Sequence, residues 1–312
     1  MTTALQRVRS RLRTVKQRSR EQARWLRTNS LPYLLTYSRL NNFVINFRLT
    51  PVDRQELRRL PNVVVGQIDI TAQDYSRLLA QPSLTQFARF PAGYTKMLEY
   101  AASAKLLGLN ADSILLDAAG GNGEYLRAVG SVFGCRQLFC NDLLQPPKVE
   151  DGVHYVGQGV ELLDLADASL TAIACHHSLE HFRANADRGF FKEIVRLLAP
   201  GGKACIVPFF LAEQYAEIWN TSRSLKFDPD ALTIHDPFAT FTGWGDFEGF
   251  ARIYSLEKFR ERLLTLIPAG YSVSLHEVSF CGKPCPQIDL LTNYHQPRIN
   301  RNMLALLIER AK

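Results

Sequence analysis

Ile114-Leu115-Leu116-Asp117-Ala118-Ala119-Gly120-Gly121-Asn122-Gly123-Glu124 is an apolar run that ends in an acid and passes into a glycine-rich turn. Leu126, Val129, Val132 and Phe133 follow at helical spacing. A short apolar run bounded by turn residues and followed by a 3.6-residue period reads as a buried strand entering the first helix of an α/β sheet. The turn is the leading candidate for a cofactor seat.

Its spacing narrows the cofactor. A dinucleotide fingerprint, G-x-G-x-x-G, brings a helix N-terminus to a pyrophosphate, but Gly121 and Gly123 are followed by Glu124, Tyr125 and Leu126, so NAD is not expected. An acid ahead of a tight turn suits a ligand that carries an amino acid group and a sulfonium. The stretch resembles motif I of the class I S-adenosylmethionine-dependent methyltransferases, D-x-G-x-G-x-G, with Ala119 at the first glycine. The resemblance implies S-adenosylmethionine as cofactor, with Asp117, Ala119, Gly121 and Gly123 in its site. A Cβ at position 119 costs room if the backbone there sits at positive φ.

The length of 312 residues allows one large α/β domain plus an extension. Hydrophobic content of 46% is that of a globular protein. No apolar run reaches the roughly 18 residues of a membrane span. Cys135, Cys140, Cys175 and Cys205 lie in apolar runs, which reads as buried, reduced thiols and a cytoplasmic setting. The net charge of +7 is uneven: residues 1 to 60 hold 14 Lys+Arg against 3 Asp+Glu. Leu5, Val8, Leu12, Val15, Ala23 and Leu26 recur at near-helical spacing among those arginines, a basic amphipathic helix. Residues 1–30 are open to several readings: contact with an anionic membrane surface, binding of another macromolecule, docking on the chain's own domain, or a transit peptide. Nucleic acid is not expected, because no aromatic-interleaved motif accompanies the charge.

Further strands follow in order. Arg136 to Asp142 ends in an acid at the position where α/β nucleoside sites bind ribose hydroxyls, which makes Asp142 the leading ribose ligand. After Val153 to Gly157, where the family usually carries an acid for the adenine amino group, Gln158 offers a carbonyl acceptor. Leu170 to Cys175 delivers His176-His177-Ser178-Leu179-Glu180-His181 to the carboxyl edge of the sheet. Cys175 joins the cofactor candidates, and L-E-H resembles motif IV of small-molecule methyltransferases. His177, Glu180 and His181 also look like a metal motif of certain O-methyltransferases with its first Glu replaced. Two imidazoles and one carboxylate do not suit magnesium, and no metal is expected. His176 or His177 is the candidate general base, with Glu180 and His181 expected to pack. The run E-I-V-R-L-L-A-P-G-G-K (193–203) closely resembles the family's signature before strand five.

Residues 209–254 hold 11 of the 32 aromatic residues, about twice their share. They lack a helical period and are interspersed with acids and His235, a further catalytic candidate, which suits a lid over sugar rings or planar acceptors. The expected fold is a Rossmann-like, doubly wound, seven-stranded α/β sheet of the class I methyltransferase type. Residues 1–90 are expected to form a basic helical extension and 91–312 the methyltransferase domain, with 209–254 as a lid after strand five. The expected activity is methyl transfer to an oxygen of a sugar, glycan or related small metabolite. An alternative is a non-catalytic methyltransferase-like protein that binds a partner or membrane through its basic helix. Ala119, Gln158 and Thr171, the last standing where the family often has Asp, support that alternative.

Overall fold

The computed structural model describes residues 49–50, 52–89, 91–219, 226–235, 250–285 and 303–312. They belong to one compact unit, 49–312. The basic segment 1–30 and Phe238, Phe241 and Trp244 lie outside the described residues.

The strands are β1 (Val63–Ile70), β2 (Ile114–Ala118), β3 (Gln137–Asn141), β4 (Lys148–Glu150), β5 (Val153–Val156), β6 (Leu170–His176) and β7 (Leu198–Val207). After them come β8 (Ala216–Trp219), β9 (Leu232–His235), β10 (Phe250–Ile253), β11 (Tyr271–Phe280), β12 (Lys283–Pro284) and β13 (Leu304–Arg310). The helices are α1 (Arg54–Leu57), α2 (Ala72–Leu79), α3 (Pro91–Leu107), α4 (Glu124–Phe133), α5 (Ala186–Leu197) and α6 (Leu256–Arg262).

The large sheet runs β1-β11-β13-β7-β6-β2-β3-β5-β4, with β12 pairing β11 off this path. β2 lies between β3 and β6 and is parallel to both. β13 is antiparallel to β7 and β11 on its two sides, so the chain end closes the sheet. The sheet is wider than seven strands. β4 adds to one edge, antiparallel to β5, and β1 adds to the other, parallel to β11 over Val63↔Val273 to Ile70↔Phe280. Residues read as part of an extension thus supply an edge strand of the same sheet.

Side chains of a strand alternate between faces, and both faces are covered. Leu115, Ala172 and Ala174 pack in one core with Met97, Leu98, Leu126 and Val129 of α3 and α4. Leu116, Ile173 and Cys175 pack in the other with Phe190, Phe191, Ile194 and Phe259 of α5 and α6. This parity at the end of β6 decides where the candidate histidines go.

The insertion after β7 is a second, three-stranded sheet, β10-β8-β9. Its described aromatics are mostly turned inward. Phe209, Tyr215, Trp219, Phe250 and Tyr254 are buried, and the Trp219, Phe227 and Phe250 ring centroids lie 4.8 to 5.2 Å apart. Phe209, Tyr215 and Tyr254 pack into the core under α5 and α6, so these described rings serve packing where the sequence suggested a sugar-stacking surface.

A buried charge knot joins this sheet to the loop before α5. Asp187 accepts from Tyr254 Oη at 2.7 Å and Arg262 Nε at 2.7 Å, and Arg252 Nη1 lies 3.0 Å from it. The Arg252 guanidinium, fully buried, also donates to the carbonyls of Phe182 and Ala184. Arg262 reaches Asp228, which accepts from Tyr215 Oη. Such a knot is secure only when complete, because a buried charge stripped of its partner costs about 3–5 kcal/mol.

Candidate functional site

The turn after β2 carries three left-handed backbones at alternate positions: Ala119 at φ 55°, Gly121 at 59° and Gly123 at 71°. These are the positions where the resemblance places glycines, and Ala119 holds the strained conformation with a Cβ. Gly123 has a second constraint, since a Cβ there would stand 2.8 Å from the Tyr155 hydroxyl. That hydroxyl donates to the Asn122 carbonyl at 2.7 Å, and Arg127 donates to the same carbonyl at 2.8 Å. The turn is therefore clamped from the β5 side as α4 begins.

Neighbouring strand ends complete the cradle. The Gly120 amide donates to the Asn141 carbonyl. The Asp142 carboxylate accepts the Gly121 amide at 3.0 Å and the Leu144 amide at 2.9 Å, one on each oxygen. A carboxylate has about four lone-pair sites, so Asp142 holds the turn and keeps acceptor capacity for hydroxyl groups. Leu143, Leu144 and Leu162 are exposed at 70%, 49% and 75%, and they follow the paired strands β3 and β5 at the same edge. Exposed apolar side chains after β3 and β5, with an acid that has acceptor sites to spare, fit a nucleoside, whose flat base and ribose need those two chemistries. The sequence reading missed these leucines. The signal was two leucines directly after a strand-end acid.

Other candidates are placed differently. Asp117 is 2% exposed beneath the turn, its carboxylate 3.1 Å from His176 Nδ1. His176 continues the inward series Ala172, Ala174 and lies edge-on to Tyr100 and Tyr125, with centroids 4.8 and 4.4 Å away. Only 3% of its side chain is exposed, so it is closed off from an acceptor and fails as the general base. Cys175 points into the α5 layer, fully buried, and burial raises its thiol well above the ordinary value. It is a packing residue with no ligand-facing surface. Gln158 turns its side-chain carbonyl into its own loop, where it accepts the Asp164 amide at 2.8 Å, so the adenine contact expected of it is not set up. His235 ends β9 opposite Trp219; its side chain lies outside the described residues. Thr171 accepts the Ile114 amide at 2.8 Å and so serves the sheet.

His177, at φ 54°, leaves the strand and enters a run of ionisable groups. Its Nδ1 is 3.0 Å from Glu99 Oε1, and its Nε2 is 3.5 Å from Glu180 Oε1. Lys96 Nζ bridges Glu99 at 3.1 Å and the His176 carbonyl at 3.1 Å. Burial pushes the imidazole pKa down, but Glu99 and Glu180 outweigh it and hold the value above the ordinary one. For Glu99, burial pushes up, and Lys96 and His177 outweigh that, holding it below the usual carboxylate value. The two carboxylates thus favour the protonated ring, which works against a base role for His177. Among the described residues, no group of three or more His, Cys, Asp and Glu side chains is arranged to hold a metal ion.

These shifts give a stability dependence on pH. A histidine whose folded pKa is raised contributes fully below its unfolded value of about 6.5 and loses that contribution as pH rises through the folded value. The depressed Glu99 contributes above its ordinary range and loses that as pH falls. Replacing His177 with Gln is therefore expected to cost more stability near pH 6 than near pH 9 in denaturant unfolding. An equal cost at both would show a neutral ring in the fold.

Residues 116–206 match the family model described as a methyltransferase domain. No curated protein matches the chain. Solved structures that resemble it include a putative methyltransferase in complex with the Trm112 methyltransferase activator of Haloferax volcanii, at 15% identity and TM-score 0.44 over 73% of this chain and 94% of that one. Another is the 1,6-didemethyltoxoflavin-N1-methyltransferase of Burkholderia thailandensis, solved with S-adenosylhomocysteine, at 16% identity and TM-score 0.41 over 85% and 95%. A third is the glycopeptide N-methyltransferase MtfA, also with S-adenosylhomocysteine, at 12% identity and TM-score 0.40 over 68% and 87%. The strand order and the left-handed turn after β2 thus accompany a match to a methyltransferase domain over residues 116–206.

Proposed function

We propose that the chain methylates a hydroxyl oxygen of a sugar or related small metabolite. The observation that carries this reading is the run Glu99, His177, Glu180, His181 at the end of β6, beside the cofactor turn. An amine attacks a methyl group through a lone pair it already has, whereas a hydroxyl must also lose a proton, so a run of proton-holding groups favours oxygen. Bound S-adenosylmethionine supplies an electrophilic methyl group on a sulfonium. The residues that would hold it are the backbone of 119–123 and Asp142, with Leu143 and Leu162 beside the base. Much of the rate would come from fixing acceptor and methyl in line.

Calorimetry with S-adenosylmethionine and S-adenosylhomocysteine tests the reading, with micromolar binding expected. Asp142→Ala should weaken it by about 1–3 kcal/mol. No heat at millimolar ligand would favour the alternative, a non-catalytic protein that works through its basic segment.

Among the described residues, no helix is long and apolar enough to cross a membrane. We infer a cytoplasmic setting with peripheral contact between residues 1–30 and anionic lipid, at roughly 1 kcal/mol per basic residue near the surface. Binding to phosphatidylserine vesicles should fall on deleting 1–30 and on adding salt. Binding unchanged by either would remove the membrane role.

A further inference from the structure

We propose that the cleft between the start of α4 and the β4–β5 hairpin binds a small hydroxylated molecule that carries an oxyanion, a sugar phosphate or a sugar acid. Its ligand is additional to the cofactor, and the site does not depend on which atom accepts a methyl group. The cleft encloses about 320 Å³ and is lined by side chains of both elements, together with Asn122 of the turn and Gln145. Small-molecule sites span about 300–1,000 Å³ and are mostly apolar. Apart from the Tyr155 ring, this lining consists of two basic side chains, two acids and two amides, so the ligand it suits is polar.

Arg127 is the anchor. Both hydrogens of its Nη1 are committed, to the Asn122 carbonyl at 2.8 Å and to the Tyr155 hydroxyl at 3.0 Å. Tyr155 gives its own proton to the same carbonyl at 2.7 Å and so accepts from Arg127. These bonds fix the plane of the guanidinium. Its Nε and Nη2 make no hydrogen bond or ion pair among the described residues. That edge of a guanidinium carries the parallel pair of N–H groups that matches a carboxylate or phosphate. A held plane with a free edge favours binding, because a long side chain already ordered loses little freedom when the ligand arrives.

The remaining groups select the body attached to the oxyanion. The hairpin turns through Asp151 and Gly152, at φ 50° and 76°, and so closes the Glu150↔Val153 pair with two residues. Asp151 of this turn lines the cleft and makes no ion pair among the described residues. Gln145 donates its Nε2 to Asn122 Oδ1 at 2.8 Å, which leaves its carbonyl as an acceptor. Asp151 and Gln145 therefore both offer acceptors, and hydroxyl groups supply the matching donors. Lys148 adds a second cation, its Nζ 4.7 Å from the Tyr155 ring centroid and 2.7 Å from Glu150. An exposed pair of that kind is weak, and an ammonium has three donors to share. Two bases against two acids make the lining neutral, which disfavours a polyanion such as a nucleic acid backbone. One oxyanion on a hydroxylated body meets both kinds of group.

Calorimetry on the full chain, in a low-salt buffer free of phosphate, tests the site with glucose 6-phosphate, glucuronate and glucose. At least one charged sugar should bind with a Kd of about 1 mM or tighter, and the tighter of the two tells phosphate from carboxylate. Glucose should give no heat, and added salt should weaken the charged ligand. Arg127→Lys keeps the charge but loses the paired N–H edge, and should weaken binding by about tenfold or more. If that variant does not fold, Lys148→Ala, at an exposed position, should weaken binding by about threefold. Saturating S-adenosylhomocysteine should leave the sugar bound. No heat from either charged sugar at about 10 mM, glucose binding as tightly as they do, or an affinity unchanged in a folded variant overturns the proposal. Displacement of the sugar by S-adenosylhomocysteine would assign the cleft to the cofactor and overturn it as well. None of these readouts involves methyl transfer, so failure here leaves the O-methylation reading untouched.

Discussion

Three parallel strands, β3, β2 and β6, end side by side, and the chain leaving the middle one must turn sharply without burying unpaired amides. Much of the site follows from how that is solved. Gly120 donates to the Asn141 carbonyl and Gly121 to the Asp142 carboxylate, so the end of β3 holds the turn that leaves β2. On the other side Ser178 Oγ donates to the Ala119 and His176 carbonyls, at 3.5 and 2.9 Å, and holds the end of β6. A buried polar group left unmatched costs about 1–3 kcal/mol, so these cross-ties are what let a turn with three left-handed residues persist.

The same economy explains the charged groups. Asp117, Glu99 and Glu180 are each at most 2% exposed, a state carboxylates tolerate only beside protons or cations. Each has a histidine against it, and Glu99 has Lys96 as well. The segment 176–181 thus sets a histidine against each of three buried acids. One histidine, at the seam with the inserted sheet, retains accessible surface. Fold stability and proton chemistry draw on one set of contacts, so replacements in this cluster must be read with both in view.

Much of this was legible from residues 114–124, because periodicity and glycine spacing act locally. β2 lies where apolar patterning places it, and β3, β5 and β6 differ by a residue or two at their ends. What was not legible depends on distance or parity. Glu99 precedes His177 by 78 residues, and nothing near either one announces the pair. The inward turn of His176 could have been read from the alternation Ala172, Ala174, His176. The inserted sheet escaped notice because its strands are four residues each, too short for a period to show. Gln158 could not be resolved from spacing, since its partner, Asp164, belongs to the same loop.

The central claim is that the turn at 119–123, tied to Asp142, receives S-adenosylmethionine. Amide hydrogen exchange with and without saturating S-adenosylhomocysteine tests it most directly, because the ligand can slow exchange only where it contacts or orders backbone. The account predicts slower exchange concentrated at residues 119–124, 142–144 and 158–163, with the outer strands β1 and β11 unchanged. Protection confined to other segments, or none at a ligand concentration that gives binding heat, would contradict it.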